Sequence, residues 1–291
     1  MRIQIMGAGA LGSLIGALIQ LSGFDVVFVA RGKQLDALKK GLRVSGLIDA
    51  ELEVYATDRP EDAAVTFVTV KAYDTEKAAK MLSAVNPGVV CSLQNGIGNE
   101  EILQRYCSRV VGGVTSYAAN LADFGHVVYA GEGYTYVGGL NDRKDAELVA
   151  EVLRKAKMRV EVVEDIEFRI WAKAVVNAAI NPITAICRVK NGEIVKNEFL
   201  WNVARTIAEE CRVVMSKMGY EFNAEEEVRR VAEMTAENRS SMLQDLEKGR
   251  RTEIEYINGA IVKKGWELGV DCPVNETLLN LVRGMERELL A

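Results

Sequence analysis

Hydrophobic and polar residues at the start of the chain follow the order of a strand, a tight turn, a helix and a second strand. Met1–Met6 is a short, mostly apolar run typical of a buried strand, and it leads directly into the glycine-rich stretch Gly7–Gly12 (GAGALG). The next apolar stretch predicts a helix over Leu11–Leu21, which Gly23 ends, and Asp25–Val29 predicts a second strand. The chain therefore opens with the pattern of a βαβ unit.

Further apolar runs recur at the spacing of a doubly wound sheet. Three more strands are predicted at Val65–Val70, Val89–Leu93 and Val110–Thr115. Val127–Ala130 and Tyr134–Val137 flank a Gly-Glu-Gly turn and predict an antiparallel hairpin that extends the sheet. A helix over Asp142–Lys157 and a strand over Arg159–Val163 complete an α/β fold with a Rossmann-type, doubly wound, mostly parallel sheet.

The second half of the chain lacks this strand pattern. From Ile166 onward, apolar residues recur at helical spacing nearly to the end, which predicts an all-α C-terminal domain. A chain of 291 residues also exceeds the usual size of a single core. We therefore expect two domains, at residues 1–165 and 166–291.

Gly7, Gly9 and Gly12 form a GxGxxG motif between the first predicted strand and helix. The first glycine permits a tight turn, the second lets the backbone approach a pyrophosphate, and the third lets the helix pack closely on the strand. The motif alone is a weak indication, but its place in a βαβ pattern predicts a dinucleotide site at the helix amino terminus.

Arg31 stands at the end of the second predicted strand, where an acidic residue commonly binds the ribose hydroxyls of NAD. A guanidinium can pair with a 2′-phosphate, so we expect NADPH as the cofactor, while NADH use stays open. The alternative is an arginine that stacks on adenine or points into solvent.

Other candidate ligand contacts follow the predicted strands. Ligands of open parallel sheets bind beyond the carboxyl ends of the strands, and five residues fall there: Lys71, Gln94, Asn95, Ala118 and Ala119. Each could simply begin a loop, and the Asn-Gly dipeptide at Asn95 is also common in turns.

The stretch from Trp171 to Thr184 predicts a helix whose strongly polar side chains are only Lys173, Asn177 and Asn181. A spacing of four stacks these three side chains in one stripe that drifts about 40° per step. Because the remaining faces are apolar, the helix should be buried, and a lysine there must find partners or lower its pKa. The alternative is a narrow solvated face.

Two later stretches add candidate polar groups. On a helix, Asn238, Ser241 and Asp245 would share a face, although the same residues could instead be competing caps at a helix amino terminus. Glu253 and Ile257 would also share a helical face, so Glu253 offers a carboxylate that could pair with the Lys173 amine. A solvated Glu253 is the alternative.

Composition and charge narrow the classes of function. A net charge of -5 argues against nucleic acid as the main partner. The five cysteines include no CxxC pair, which suits reduced thiols in the cytosol, and the single histidine, His126, cannot anchor a transition-metal site by itself. Ile3–Phe24 carries no charge, yet its glycines and polar residues argue against a membrane anchor. We therefore expect a cytoplasmic protein that binds no metal, nucleic acid or membrane.

Together these pieces resemble the 2-dehydropantoate 2-reductase, or ketopantoate reductase, family over almost the whole chain. The blocks WAKAVVNAAINPITAI, NGE, TAENRSSMLQD and TEIEYINGAI are similar to those that surround the substrate in that family, and GAGALG is similar to the block that cradles NADPH. QNG stands where some members have HNG, which leaves Asn95 intact.

The resemblance implies residue roles. Lys173 would be the general acid, and Glu253 would complete the catalytic site. Implied substrate contacts, with Asn238 in a supporting place, are Asn95, Lys173, Asn177, Asn181, Asn191, Asn238 and Ser241. Implied cofactor contacts are Gly7, Ala8, Gly9, Ala10, Leu11, Gly12, Arg31, Lys71, Asn95, Ala119 and Glu253.

The resemblance also implies an activity. Residues 1–165 would bind the dinucleotide, and residues 166–291 would bind a small 2-oxo acid and could hold a homodimer. The implied reaction is NADPH-dependent reduction of 2-dehydropantoate to (R)-pantoate, on the route to pantothenate and coenzyme A. Two alternatives are a paralogous NAD(P)H-dependent reductase of another branched 2-oxo acid and a noncatalytic dinucleotide sensor.

Overall fold

The computed structural model describes residues 1–290 and divides into two compact units. The first unit comprises Met1–Gln94 and Asn99–Arg169, and the second comprises Asn95–Gly98 and the chain from Ile170 onward. The short loop Asn95–Gly98 thus belongs with the later part of the chain.

The first unit contains all the strands of the described chain. In chain order they are β1 (Arg2–Met6), β2 (Asp25–Val29), β3 (Leu42–Gly46), β4 (Ala50–Leu52), β5 (Tyr55–Thr57), β6 (Val65–Val68), β7 (Val89–Ser92), β8 (Val110–Thr115), β9 (Ala118–Asp123), β10 (His126–Gly131), β11 (Thr135–Gly139) and β12 (Val160–Val162). Its helices are α1 (Ala10–Leu21), α2 (Gly32–Leu38), α3 (Thr75–Leu82), α4 (Asn99–Gln104) and α5 (Arg143–Lys155).

Eight strands form a twisted sheet in the order β12-β11-β8-β7-β6-β1-β2-β5. Every neighbouring pair is parallel except β8 and β11. The central strands β6 and β7 are buried throughout, because helices cover both faces of such sheets and favour continuous apolar runs. The strand order reverses at β1, which lies between β2 and β6, so the carboxyl end of β1 is the switch point where ligands bind.

A second sheet of four strands, in the order β4-β3-β10-β9, corrects the predicted hairpin. β10 pairs antiparallel with β9 and parallel with β3, whereas β11 joins the larger sheet beside β8. The β9–β10 turn uses Gly125 at a φ of 73°, and residues 131–134 carry the chain from one sheet to the other. The Gly-Glu-Gly stretch is therefore a crossing between sheets, not a hairpin turn.

Helix α1 contacts strands of both sheets. Its residues Leu14, Ile15 and Ile19 are fully buried, which explains why this segment is apolar without being a membrane anchor. The smaller sheet thus covers the helix that begins at the glycine-rich turn.

All regular secondary structure in the described part of the second unit is helical, which confirms the predicted fold class of a Rossmann-type α/β sheet followed by an all-α region. Its helices are α6 (Ile166–Cys187), α7 (Glu193–Lys196), α8 (Glu198–Lys217), α9 (Ala224–Met234), α10 (Ser241–Glu247), α11 (Asn258–Leu268) and α12 (Pro273–Leu290). The division between the units falls within α6, after Arg169. By length and composition α6 could cross a membrane, but 67% of its most apolar window is buried inside the protein, as in a core helix.

Candidate active site

The glycine-rich turn is shaped by close packing at two of its three glycines. Gly7 has a φ of 106°, and a Cβ there would lie 2.6 Å from Val70 Cγ1. A Cβ at Gly12 would lie 2.4 Å from the carbonyl oxygen of Gly7. Gly9, in contrast, has no heavy atom within 4 Å of such a Cβ, so the second glycine leaves open space in front of the backbone.

The amino terminus of α1 is available to an anion. Gly9 is its N-cap, no described residue supplies a side-chain cap there, and the first turn carries no acidic residue. Thr69 Oγ1 donates to the Gly7 carbonyl over 2.8 Å, and Gln34 Nε2 donates to the Ala8 carbonyl over 2.8 Å. These bonds hold the turn, and the first N–H groups of α1 have no partner within the helix, which suits a phosphate.

A cavity of about 420 Å³ lies beside this turn. Gly7, Ala8, Gly9, Arg31 and Lys71 all contribute to its lining. The structure therefore brings five of the eleven predicted cofactor residues together in one cavity at the switch point of the sheet.

Arg31 is exposed on this cavity and forms an ion pair with Asp74, which also lines it. The guanidinium is thus poised at a ligand-sized opening, but a neighbouring carboxylate already competes for it. Asp74 was not among the predicted residues, because nothing in the local sequence around it shows that it reaches Arg31.

Residues after β7 and β8 are placed differently from one another. Gln94 is buried and donates from Nε2 to the Val70 carbonyl over 2.9 Å and to Thr75 Oγ1 over 2.7 Å. Ala118 and Ala119 follow the carboxyl end of β8, as expected, and they begin β9 of the smaller sheet instead of a loop.

In the helical unit, α6 carries Lys173, Asn177 and Asn181 in one stripe, as predicted. Lys173 and Asn177 are half-buried, and Asn181 is 5% exposed, which excludes a fully solvated face. Burial lowers the pKa of Lys173 to about 8, while the negative charge of Glu253 acts in the opposite direction. An amine with such a pKa can hold or release a proton near neutral pH.

The two asparagines of this stripe, Asn177 and Asn181, carry unused hydrogen-bonding groups. Neither side chain hydrogen-bonds to any residue of the described chain. An amide as buried as that of Asn181 usually has a partner, so a bound molecule with donors and acceptors would satisfy it.

Glu253 is 6% exposed and contributes to the electrostatics of Lys173. It precedes a 3₁₀ turn at Ile254–Tyr256, and α11 begins only at Asn258, so the predicted helical face shared with Ile257 is wrong. The 3₁₀ turn nevertheless brings the carboxylate toward the lysine, which was the expected consequence.

Asn95 belongs to the helical unit because its loop is fixed to the segment after Glu253. The Ile97 N–H donates to the Tyr256 carbonyl over 2.8 Å. Gly96 has a φ of 90°, and a Cβ there would lie 2.7 Å from Tyr256 Cβ. The Asn-Gly dipeptide therefore forms a turn, and its glycine also packs directly against Tyr256.

Asn191 is buried, and it is held by residues that precede α10. Its Nδ2 donates to Thr235 Oγ1 over 2.9 Å and its N–H to the Asn238 carbonyl over 3.0 Å, whereas its Oδ1 has no partner within the described residues. Asn238 and Ser241 are exposed, and α10 begins at Ser241. Asn238 thus lies before the helix, so its expected place on a common face with Ser241 and Asp245 is wrong, whereas Ser241 and Asp245 both lie in α10, four residues apart.

Sequence reasoning missed several residues that hold these groups in place. Ser240, not Ser241, caps α10: its Oγ accepts from the Leu243 N–H over 3.1 Å and from Thr184 Oγ1 over 2.8 Å. Asn258 donates from Nδ2 to the Ala178 carbonyl of α6 over 3.1 Å. The cap alternative was the available signal for Ser240, but no local pattern indicates Asn258.

Metal ligation finds no support in the described residues, which contain no group of three His, Cys, Asp or Glu side chains that could hold an ion. The helical unit instead offers an amine, a carboxylate and several amides, and the sheet unit by itself offers an anion-binding turn.

The comparisons with known proteins all indicate the same family. Residues 3–142 match the family described as ketopantoate reductase PanE/ApbA, and residues 165–286 match its C-terminal domain. The chain is 75% identical over 290 residues to a 2-dehydropantoate 2-reductase of Archaeoglobus fulgidus, covering 99% of each chain.

Solved structures agree. A PanE/ApbA family ketopantoate reductase from Ralstonia eutropha JMP134 is 31% identical, with a TM-score of 0.93 and full coverage of both chains. A D-mandelate dehydrogenase in a ternary structure with NADH and anilino(oxo)acetate is 28% identical, with a TM-score of 0.94 and full coverage of both chains. The chain belongs to the ketopantoate reductase family.

Proposed function

We propose that this chain reduces 2-dehydropantoate to (R)-pantoate with NADPH, as an enzyme of pantothenate and coenzyme A biosynthesis. Family membership supports the reaction, and the stereochemistry follows from the same family resemblance. The observation that carries the proposal is Lys173, a desolvated amine under the influence of the buried carboxylate Glu253.

Lys173 is the proposed general acid. A ketone that gains a hydride at carbon needs a proton at oxygen, and the bound dinucleotide supplies the hydride. A pKa of about 8 leaves most of the Lys173 amine protonated at neutral pH, so it can stabilise the developing negative charge and then donate its proton. Glu253 favours this protonated form because its negative charge raises the pKa of the amine.

The amides of the helical unit are the proposed substrate contacts. Asn177 and Asn181 offer donors and acceptors without competing bonds in the described chain, and they can orient a hydroxyl and a carboxylate. The full proposed set is Asn95, Lys173, Asn177, Asn181, Asn191, Asn238 and Ser241. The exposed Asn238 is assigned a supporting role.

The glycine-rich turn fits a dinucleotide, because Gly9 leaves room for a pyrophosphate in front of an uncapped helix terminus. The proposed contacts are Gly7, Ala8, Gly9, Ala10, Leu11, Gly12, Arg31, Lys71, Asn95, Ala119 and Glu253. Arg31 is the proposed partner of a 2′-phosphate, which favours NADPH over NADH.

The decisive assay follows the absorbance of NADPH in the presence of 2-dehydropantoate. We expect substrate-dependent oxidation, with (R)-pantoate as the single enantiomer on chiral chromatography. A reaction without substrate and a reaction with the Lys173→Ala variant serve as controls. Absence of substrate-dependent turnover with both NADPH and NADH would reject the proposal.

A second candidate function is reduction of another 2-oxo acid, favoured by the similarity to a D-mandelate dehydrogenase. Lys173 would serve any such ketone, so the shape of the pocket must select the substrate. Steady-state rates across a panel of branched and aromatic 2-oxo acids distinguish the two functions. A kcat/KM for another acid well above that for 2-dehydropantoate would replace the first proposal.

The proposal extends to organisation and location. We propose that residues 1–165 bind the dinucleotide, that residues 166–291 bind substrate and form a homodimer, and that the protein is cytoplasmic. Phe199 and Trp266, which are 72% and 83% exposed, support association through the helical unit. Light scattering after size-exclusion chromatography tests the dimer, since a monomer mass at working concentrations would contradict it.

A further inference from the structure

Pro182 interrupts the backbone hydrogen bonds of α6 directly after Asn181, the last residue of the polar stripe. The carbonyl of Ala178 would normally accept from the N–H of residue 182, but proline has no N–H. Ala178 is fully buried, so water cannot easily replace the lost donor. The helix therefore needs another group to satisfy this carbonyl.

Asn258 supplies that group. Its Nδ2 donates to the Ala178 carbonyl over 3.1 Å and to Asn275 Oδ1 over 3.0 Å, so both amide hydrogens are used. Asn275 in turn donates to Glu210 Oε2 over 2.7 Å. Asn258 and Asn275 are both fully buried, which makes this a dry, directional link between α6 and the start of α11.

The link joins the elements that carry the reactive groups. Ala178 directly follows Asn177, and the interrupted turn from Ala178 to Pro182 contains Asn181. Asn258 follows the 3₁₀ turn that Glu253 precedes. The Asn258 side chain thus bonds to α6 at the point where Pro182 removes a backbone hydrogen bond. Asn258 itself lies at the end of the segment that contains Glu253.

We propose that Asn258 is a positioning residue for the reductase reaction, which fixes the proline-interrupted turn of α6 and thereby sets Lys173 against Glu253. Asn258 does not contact the substrate in this role. The inference rests on the proposed function, since it concerns the geometry of the proposed acid.

A double-mutant cycle between Asn258 and Pro182 tests the proposal. With Pro182 present, Asn258→Ala should lower kcat/KM by about tenfold or more, because the Ala178 carbonyl loses the side-chain donor that replaces the missing N–H. In the Pro182→Ala background the N–H of residue 182 can satisfy that carbonyl, so the same Asn258→Ala change should cost less than about threefold. Comparing the cost in the two backgrounds removes any effect of Pro182→Ala itself.

The pH profile separates positioning from simple loss of stability. If Glu253 moves away from Lys173, the pKa of the amine falls, and the decline of kcat at high pH should begin at lower pH in Asn258→Ala. Asn275→Ala is the matched control, because it removes the other partner of the same amide and leaves the bond to Ala178. It should lower the unfolding temperature but leave the pH profile unchanged.

Equal costs of Asn258→Ala in both backgrounds, or an unchanged pH profile, would overturn the proposal. If Asn258→Ala fails to fold in both backgrounds, Asn258→Leu, which fills the space with a side chain of similar shape that has no donor, gives the same cycle with the same expected contrast. Failure of the proposed function is a different result: the wild-type protein itself would not turn over 2-dehydropantoate.

Discussion

Lys173 on α6 and Glu253 before the 3₁₀ turn form an opposite-charge pair in the helical unit, although they lie far apart in the chain. Burial lowers the pKa of the Lys173 amine, and the Glu253 carboxylate raises it, with burial the larger effect. The outcome is an amine that titrates near pH 8, two to three pH units below an ordinary lysine.

This balance predicts the pH dependence of catalysis. A general acid must be protonated, so kcat should be level below about pH 7 and fall as pH rises through about 8. Glu253→Gln removes the charge that raises the pKa, so the decline should begin at lower pH. Steady-state kcat measured from pH 6 to pH 10 checks both statements.

Glu255→Gln is the control for this experiment, because Glu255 lies in the same 3₁₀ turn but pairs with Arg283 over 2.5 Å. Its profile should match that of the wild type. Profiles that coincide for Glu253→Gln and the wild type would remove Glu253 from the electrostatics of the acid.

Removing the amine itself should affect the chemical step. We expect Lys173→Ala to lower kcat by the order of 10²-fold or more, the usual contribution of a positioned general acid, while dinucleotide affinity stays near that of the wild type. Lys190→Ala, which removes an exposed lysine paired with Glu237, is the matched control. Fluorescence titration gives the affinity for NADPH, and steady-state kinetics give kcat. A weaker affinity for NADPH with an unchanged kcat would contradict the prediction.

The parts of the fold that follow local patterns were predictable from the sequence. The glycine spacing gave the switch-point turn, and the spacing of four gave the polar stripe of α6, because both depend on neighbouring residues. The sequence does not predict which strand pairs with β10, because β9 and β11 both flank it in the chain. The pairing depends on how α1 packs against the two sheets.

The site shows the same division between local and distant information. Lys173, Asn177 and Asn181 share a face that the sequence displays directly. Asn258 and Ala178 meet only after the helices pack, so no local signal indicates their bond. The prediction placed Asn238 within a helix, but Ser240 caps α10 and the helix does not extend back to Asn238. Helix propensities alone do not decide which of several possible capping residues begins a helix.

The Arg31–Asp74 ion pair leads to a prediction about cofactor choice. Arg31→Ala should weaken NADPH binding by roughly tenfold or more, as expected for loss of a charge-assisted bond to phosphate, and should change NADH binding much less. Asp74→Asn should tighten NADPH binding by up to about fivefold, a small effect because exposed ion pairs are worth roughly 0–1 kcal/mol.

Dissociation constants for both dinucleotides, measured by isothermal titration calorimetry, check this pair of variants. Lys33→Ala changes an exposed cation close to Arg31 that does not line the cavity, so it controls for net charge. An equal loss of NADPH and NADH affinity in Arg31→Ala would remove its assignment to the 2′-phosphate.

The glycines of the turn separate folding from cofactor binding. Gly12→Ala should lower the free energy of unfolding by roughly 1–3 kcal/mol, because the added Cβ meets the Gly7 carbonyl and helix and strand must move apart. Gly9→Ala adds its methyl group into open space at an extended backbone position with a φ of -76°, so the free energy of unfolding should change by less than about 0.5 kcal/mol. The same methyl group stands where a pyrophosphate must approach, so dinucleotide affinity should fall by about tenfold or more.

Gly284→Ala is the control for an added methyl group, since Gly284 also has open space around it but lies in α12, away from the turn. It should leave dinucleotide affinity unchanged and stabilise the helix by up to about 1 kcal/mol, the difference in helix propensity between alanine and glycine. Chemical denaturation and dinucleotide titration on the three variants give both quantities. Normal affinity in a folded Gly9→Ala protein would show that the phosphates do not approach the chain at the second glycine, and the site would then have to lie elsewhere along the edge of the sheet.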